Sequence, residues 1–167
     1  MGKTTVVERV LGRLNVDAGG FITREIREGG KRTGFEIVTL DGERGILATV
    51  GGRSRYRVGR YRVNMDDLER VALPALGRAA RKNELIVIDE IGTMELFSGR
   101  FRQEVCKLLD GLIPLLAVIK AKGDPFLASV KRRGDVRLFT VTLENRDELP
   151  ALICEQILPI LNKRSSS

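Results

Sequence analysis

The sequence predicts an α/β fold in three layers, a mostly parallel sheet covered by helices, on three observations. Apolar runs at Leu85–Ile88, Leu115–Ile119 and Val136–Val141 have the continuous hydrophobicity of strands buried on both faces. Segments with apolar residues at helical spacing alternate with them, which calls for right-handed crossovers. The length of 167 residues, with 43% hydrophobic and 31% charged residues, suits one domain with a single core.

The elements follow in order. Val6, Val7, Val10, Leu11 and Leu14 line one face of a first helix over 4–14, which Gly19-Gly20 should end. Residues 21–26, 34–40 and 44–48 read as short strands, joined by a Gly29-Gly30 turn and by Asp41-Gly42, a hairpin signal. This is an inserted β-hairpin region. Asn64 caps a helix with Asp66 and Asp67 in its first turn and Leu68, Val71, Ala72, Ala75, Leu76 and Ala79 on its inner face, bent or delayed by Pro74. Phe101, Val105, Leu108, Leu109 and Leu112 mark a further helix, and Leu149, Leu152, Ile153, Ile157, Ile160 and Leu161 the last. A single domain over 1–162 and a polar tail over 163–167 are expected.

Composition removes several function classes. With no histidine, His-based triads and His-ligated zinc are excluded, and two cysteines, Cys106 and Cys154, complete neither a structural zinc site nor a disulfide framework. Both cysteines read as core thiols on helices. The longest nearly unbroken apolar run, Leu112–Ile119, has eight residues and includes Pro114, well short of the ~20 a membrane helix needs. A reduced, cytoplasmic protein is expected. The net charge of +7 points to a polyanionic partner, and the excess is local: residues 24–62 hold ten basic against five acidic side chains.

The chemistry concentrates in two places. Gly2-Lys3-Thr4-Thr5 opens a helix and matches the second half of the phosphate-binding loop G-x-x-x-x-G-K-[ST]. Backbone N–H groups at a helix N-terminus bind phosphate oxygens, the lysine reaches the β and γ phosphates, and the hydroxyl ligates Mg²⁺. About 85 residues later, Leu85-Ile86-Val87-Ile88-Asp89-Glu90 is an apolar strand ending in adjacent carboxylates, the Walker B pattern. Asp89 suits Mg²⁺ coordination and Glu90 the activation of a water. Either motif alone has a bland reading, a surface helix start or a strand leading into a polar loop. Together and in this order they indicate a P-loop site with Lys3 and Glu90 as catalytic groups, Thr4 and Asp89 as metal ligands, and Gly2 and Thr5 in the phosphate cradle.

The chain also resembles the nucleoside-triphosphatase family first named from thermophiles, whose vertebrate member is the cancer-related nucleoside-triphosphatase. The strings that carry the resemblance span nearly the whole chain: GKTT (2–5), GGF.T (19–23), KRTGFEI (31–37), VGRYRVN (58–64), IDEIGTMELFS (88–98) and ENRD (144–147). The resemblance implies a small P-loop NTPase sandwich with an extra strand between the loop strand and the Walker B strand. It also implies Mg²⁺-dependent hydrolysis of nucleoside triphosphates, ATP and GTP among them, to diphosphates with little base selectivity. Thr93 departs from the family pattern, where a lysine usually stands. The chain further starts at the fifth position of the phosphate loop, with Met1 at a variable position. The expectation is therefore of a fragment or a misplaced start, with roughly ten residues preceding it, and of weak nucleotide binding if the chain begins at Met1.

Other features keep two readings. Arg53, Arg55, Arg57, Arg60 and Arg62, with no acid among them, suit phosphate contacts or an arginine finger, and equally a solvated, edge-protecting strand face. Asn145 and Arg146 lie where P-loop folds often meet the base, Arg146 through its planar guanidinium; Asn145 with Glu148 also makes a capping-box start to the last helix. Lys31 and Arg32 form a hairpin tip that is either a mobile basic lip or only a turn. A nucleotide kinase and a nucleic-acid-binding module are the rival functions. The adjacent Glu90 speaks against the first, and the scarcity of stacking aromatics against the second.

Overall fold

A computed structural model describes residues 2–165. Seven strands form one curled sheet in the order β4-β5-β3-β2-β1-β6-β7, where β1 is Ala18–Glu28, β2 Lys31–Thr39, β3 Arg44–Thr49, β4 Arg57–Val58, β5 Tyr61–Val63, β6 Leu85–Ile91 and β7 Leu115–Ile119. The helices are α1 (Lys3–Leu14), α2 (Met65–Asp67), α3 (Leu73–Lys82), α4 (Gly99–Leu109), α5 (Pro125–Lys131) and α6 (Leu149–Ser165).

The strand pleat explains the three layers. On β6, Ile86 and Ile88 join a core with Phe21, Leu76, Phe101 and Val105 on the α3 and α4 side. Leu85 and Val87 point the other way, into a core with Val6, Val10, Ile22, Ile153 and Ile157 on the α1 and α6 side. Every residue from Leu85 to Asp89 is therefore buried, as the continuous apolar run requires. None of the helices among the described residues is long and apolar enough to cross a membrane.

The sheet is less parallel than expected. Among the described residues only β1–β6 and β6–β7 pair in parallel, whereas β1–β2, β2–β3, β3–β5 and β4–β5 are antiparallel. The hairpin region is not set aside as an insertion; it continues the sheet, because β1 is long enough to pair with β6 over its first half and with β2 over the rest. Val136–Val141 forms no strand. It has no regular secondary structure and lies beside α6, where Arg137 donates to Gln156, and β7 pairs with β6 alone among the described residues. An apolar extended segment becomes a strand only where another edge offers its N–H and C=O groups.

Smaller departures have local causes. Asn15 ends α1 in the left-handed conformation, at φ 49°, and Gly19-Gly20 lies within β1. Gly20 has φ 106°, and a Cβ there would lie 2.0 Å from the Val87 carbonyl oxygen, so the glycine permits close pairing with β6. Asn64 caps α2 as expected, its side chain accepting from the Asp67 N–H at 3.0 Å. A π turn over Leu68–Ala72 then absorbs Pro74, which cannot donate to the preceding turn. The last helix continues through Ser165, so most of the expected polar tail is helical; Ser166 and Ser167, like Met1, lie outside the described residues.

Candidate active site

The site gathers where β6 and β7 end and α1 begins, the usual position for ligands in open α/β sheets. Gly2 takes φ 76° immediately before α1, turning the chain into the helix. In the first turn, the Thr4 hydroxyl donates to Asp89 Oδ2 at 2.6 Å. This bond joins residues 85 positions apart and brings the two sequence motifs into contact. Asp89 is 3% exposed. Burial pushes its carboxyl up to about 6, reinforced by the Glu90 charge and opposed by the Thr4 hydrogen bond and the Lys3 ammonium. Lys3 and Thr5 are exposed on the first turn of α1.

Glu90, half-buried, turns its side chain toward a cleft of about 210 Å³. A Cβ on Gly92 would lie 2.7 Å from Glu90 Oε1, so a glycine there leaves room for the carboxylate. The cleft is walled by Thr93, Met94 and Glu95 from the loop after β6, by Lys120 from the end of β7, and by Phe35 and Val58 from the antiparallel strands. The sheet closes over it far enough for Tyr56 to pack on Phe97, ring centroids 5.3 Å apart.

Two residues on the cleft wall went unnoticed in the sequence. Glu95 is 2% exposed, and its Oε2 is the one buried side-chain polar atom among the described residues with no hydrogen-bond partner. Burial raises its carboxyl well above the ordinary range, with the Glu90 and Asp89 charges adding to the effect. The available signal was an acid set between Met94 and Leu96 in an apolar turn. Lys120 is the first charged residue after the β7 run, as Asp89 is on β6; its Nζ donates to Thr93 Oγ1 at 2.6 Å.

The structure brings Arg146 to the same place, since a Cβ on Gly2 would lie 3.9 Å from its Cδ. Asn145 is otherwise engaged. Its Oδ1 accepts from the Thr142 N–H at 2.8 Å and its Nδ2 donates to the Thr140 carbonyl at 2.7 Å. The capping box is therefore not formed: the side chain holds the preceding loop, and α6 starts at Leu149. Arg32 is not a mobile lip; it stacks over Phe35 and Tyr61 and pairs with Glu25. Cys154 is buried, but Cys106 is exposed, one position round from the buried Val105 on α4.

The five arginines of 53–62 are a separate case. Arg55 donates to the Tyr56 hydroxyl, Arg60 to the Arg32 carbonyl and Arg62 to the Ser54 carbonyl, and none of the five makes an ion pair among the described residues. Arg57 and Arg62 stand directly opposite each other across β4–β5.

A helix N-terminus set against parallel strand ends, with a hydroxyl bonded to a strand-end aspartate, defines an α/β protein of the P-loop NTPase class. The sequence profile of the NTPase family matches residues 1–154, and the chain belongs to that family. It is 50% identical over 149 residues to nucleoside-triphosphatase THEP1 of Thermotoga sp. strain RQ2, covering 89% of this chain and 85% of that one. The cancer-related nucleoside-triphosphatase homolog of Mus musculus is 41% identical over 165 residues, covering 89% and 87%. Among solved structures, THEP1 from Aquifex aeolicus superposes with a TM-score of 0.83 at 38% identity over 96% of this chain and 92% of its own. A human cancer-related nucleoside triphosphatase superposes at 0.81, also at 38% identity, over 94% and 92%.

Proposed function

We propose that this chain hydrolyses nucleoside triphosphates to diphosphate and phosphate, with Mg²⁺ and with tolerance of the base, in the cytoplasm. The observation that carries the reading is the Thr4–Asp89 hydrogen bond, which couples the half phosphate loop to the acidic strand end. The names of the relatives, nucleoside-triphosphatases, support it.

The residues present fit Mg²⁺. Thr4 and Asp89 offer oxygen donors only, and this ion takes one or two protein oxygens and completes its shell with water and phosphate. No cluster of three or more His, Cys, Asp or Glu among the described residues suggests a different metal. When bound, the ion neutralises charge on the β and γ phosphate oxygens. Lys3 adds its ammonium to the same oxygens, and the N–H groups at Gly2, Thr4 and Thr5 cradle the phosphate chain. Glu90 accepts a proton from the attacking water; the water oxygen bonds to the γ phosphorus as the bond to the β–γ bridging oxygen breaks, leaving diphosphate and phosphate. Arg146, beside Gly2, packs its guanidinium on the base without reading its edge, and Asn145 shapes the loop that carries it.

The test is phosphate release from ATP, GTP, CTP and UTP with and without Mg²⁺, in the wild type and in Glu90→Gln. Release from all four only with Mg²⁺, and a loss of ~100-fold or more in the variant with nucleotide binding retained, is the expected outcome. Equal turnover in the variant would remove Glu90 from its role. A second reading, binding of a nucleic acid along β4–β5, is favoured by the opposed Arg57 and Arg62, which leave a like-charge pair without an acid to offset it.

A further inference from the structure

Among the described residues one cationic side chain, Lys120, lines the cleft beside Glu90, and nothing in the proposed reaction uses it. Lys120 follows β7, whose pairing with β6 brings it level with the end of the Walker B strand: Ile119 stands opposite Ile91, and the Lys120 N–H donates to the Ile91 carbonyl at 3.1 Å. Its backbone is fixed from the other side as well, because Lys131 Nζ on α5 donates to the Lys120 carbonyl at 2.8 Å and to the Ala121 carbonyl at 2.6 Å. From this anchored position the side chain reaches across to the loop after β6 and donates to Thr93 Oγ1 at 2.6 Å.

The partner is what matters. An ammonium has three N–H donors, and here the one fixed acceptor is a neutral hydroxyl. Lys120 makes no ion pair among the described residues, although Glu90 and Glu95 line the same cleft. Its charge is therefore held at the mouth of the site in a defined place with donors to spare. Lys3 approaches from the α1 side of Asp89, whereas Lys120 comes from the β7 side of Glu90.

We propose that Lys120 is a further substrate-binding residue, positioned by the Thr93 hydroxyl, whose ammonium grips the terminal phosphate and lets the site distinguish a nucleoside triphosphate from the diphosphate. The inference rests on the nucleoside-triphosphatase reading. It follows from where the cation sits: a group beside the residue that activates the water faces the phosphoryl group under attack, and a diphosphate has no oxygen there. After hydrolysis the grip on the nucleotide is lost, which favours release of the product.

The experiment compares the affinities of ADP and of the non-hydrolysable β,γ-imido analogue of ATP in wild type, Lys120→Met and Lys120→Arg, with thermal midpoints as the folding control. Lys120→Met should weaken the triphosphate analogue roughly 10- to 100-fold, the worth of a hydrogen bond to a charged group, and leave ADP unchanged. Lys120→Arg should restore most of the difference, since it keeps the charge; a residue that merely braced the loop would not show this split. Equal analogue affinity in wild type and Lys120→Met, or an equal loss for ADP and the analogue, overturns the proposal. A wild type that binds neither nucleotide defeats the nucleoside-triphosphatase reading itself, a result distinct from either.

Discussion

The parallel part of the sheet, β1, β6 and β7, and the antiparallel arm, β2 to β5, treat charge in opposite ways. In the first, acids are buried: Asp89 and Glu95 are 3% and 2% exposed at the end of β6 and in the turn beyond it. In the second, Arg53, Arg55, Arg57 and Arg60 stay exposed, and the arm gives Arg55 a tyrosine hydroxyl and Arg60 a carbonyl in place of a carboxylate. Other arginines are paired with acids, Arg44 with Glu36 and Arg32 with Glu25 at the arm's first strands, and Arg102 with Asp124 and Arg133 with Asp110 beyond it. The cleft lies between the two regions. Its lining sets the acids Glu90 and Glu95 opposite Phe35 and Val58 of the arm, with Lys120 as the cation among the described residues there, while the exposed arginines of the arm stand outside it.

Removing the packing of the parallel part should have the largest effect. Phe101 is fully buried and meets Phe21 edge-on, ring centroids 6.4 Å apart, at the centre of the core under β6. Phe101→Ala should cost about 3–5 kcal/mol in urea denaturation. A loss below about 1 kcal/mol would show that this part is not the stable half of the comparison.

The buried acid comes next. Burial holds the Glu95 carboxyl above its ordinary 4.5 in the folded protein, so ionisation favours the unfolded chain. Its contribution to stability is complete below the unfolded value and is lost as pH rises through the folded one. Between pH 5 and pH 8 the wild type should lose stability relative to Glu95→Gln, read from urea midpoints at the two values. Parallel pH dependences for the two proteins would mean that the acid is not held neutral.

The smallest effect should have the opposite sign. Arg57→Glu places an acid opposite Arg62 and should stabilise the arm by roughly 0.2–1 kcal/mol. The same variant should weaken salt-dependent binding of a fluorescent oligonucleotide if the arm takes a polyanion. Unchanged stability would show that the two guanidiniums already avoid each other in solvent.

Much of the parallel part was legible because its signals are local. The Leu85–Ile88 run is apolar on both faces, α1 and α4 keep helical spacing, and Asn64 caps by its side chain; each needs only neighbours in the chain. Val136–Val141 carried the same signal and formed no strand, because strand formation needs a second edge that no local pattern specifies. The arm was half legible: its hairpin turns at Gly29-Gly30 and Asp41-Gly42 are written in turn chemistry, whereas its continuation through β4 and β5 into one curled sheet is not. At the candidate site, Lys3, Thr4, Asp89 and Glu90 stand out by motif and order, and the structure sets Thr4 against Asp89 and Glu90 on the cleft wall. Lys120 and Glu95 were not, since a lysine after a strand and an acid in a turn are ordinary until their surroundings are known.

The sequence by itself determined the α/β class from its pattern of spacing and the family from its characteristic strings, and it singled out Gly2 to Thr5 and Asp89-Glu90 as candidate site residues, because all of these are written in residue type and order along the chain. Tertiary structure alone decided that Thr4 meets Asp89 across 85 residues and that the antiparallel arm roofs the cleft. It also decided that Glu95 is buried without a partner for one oxygen, and that Lys120 is held by a hydroxyl. Each of these is a contact between segments distant in the chain, and burial and charge compensation depend on such contacts rather than on the residue's own identity.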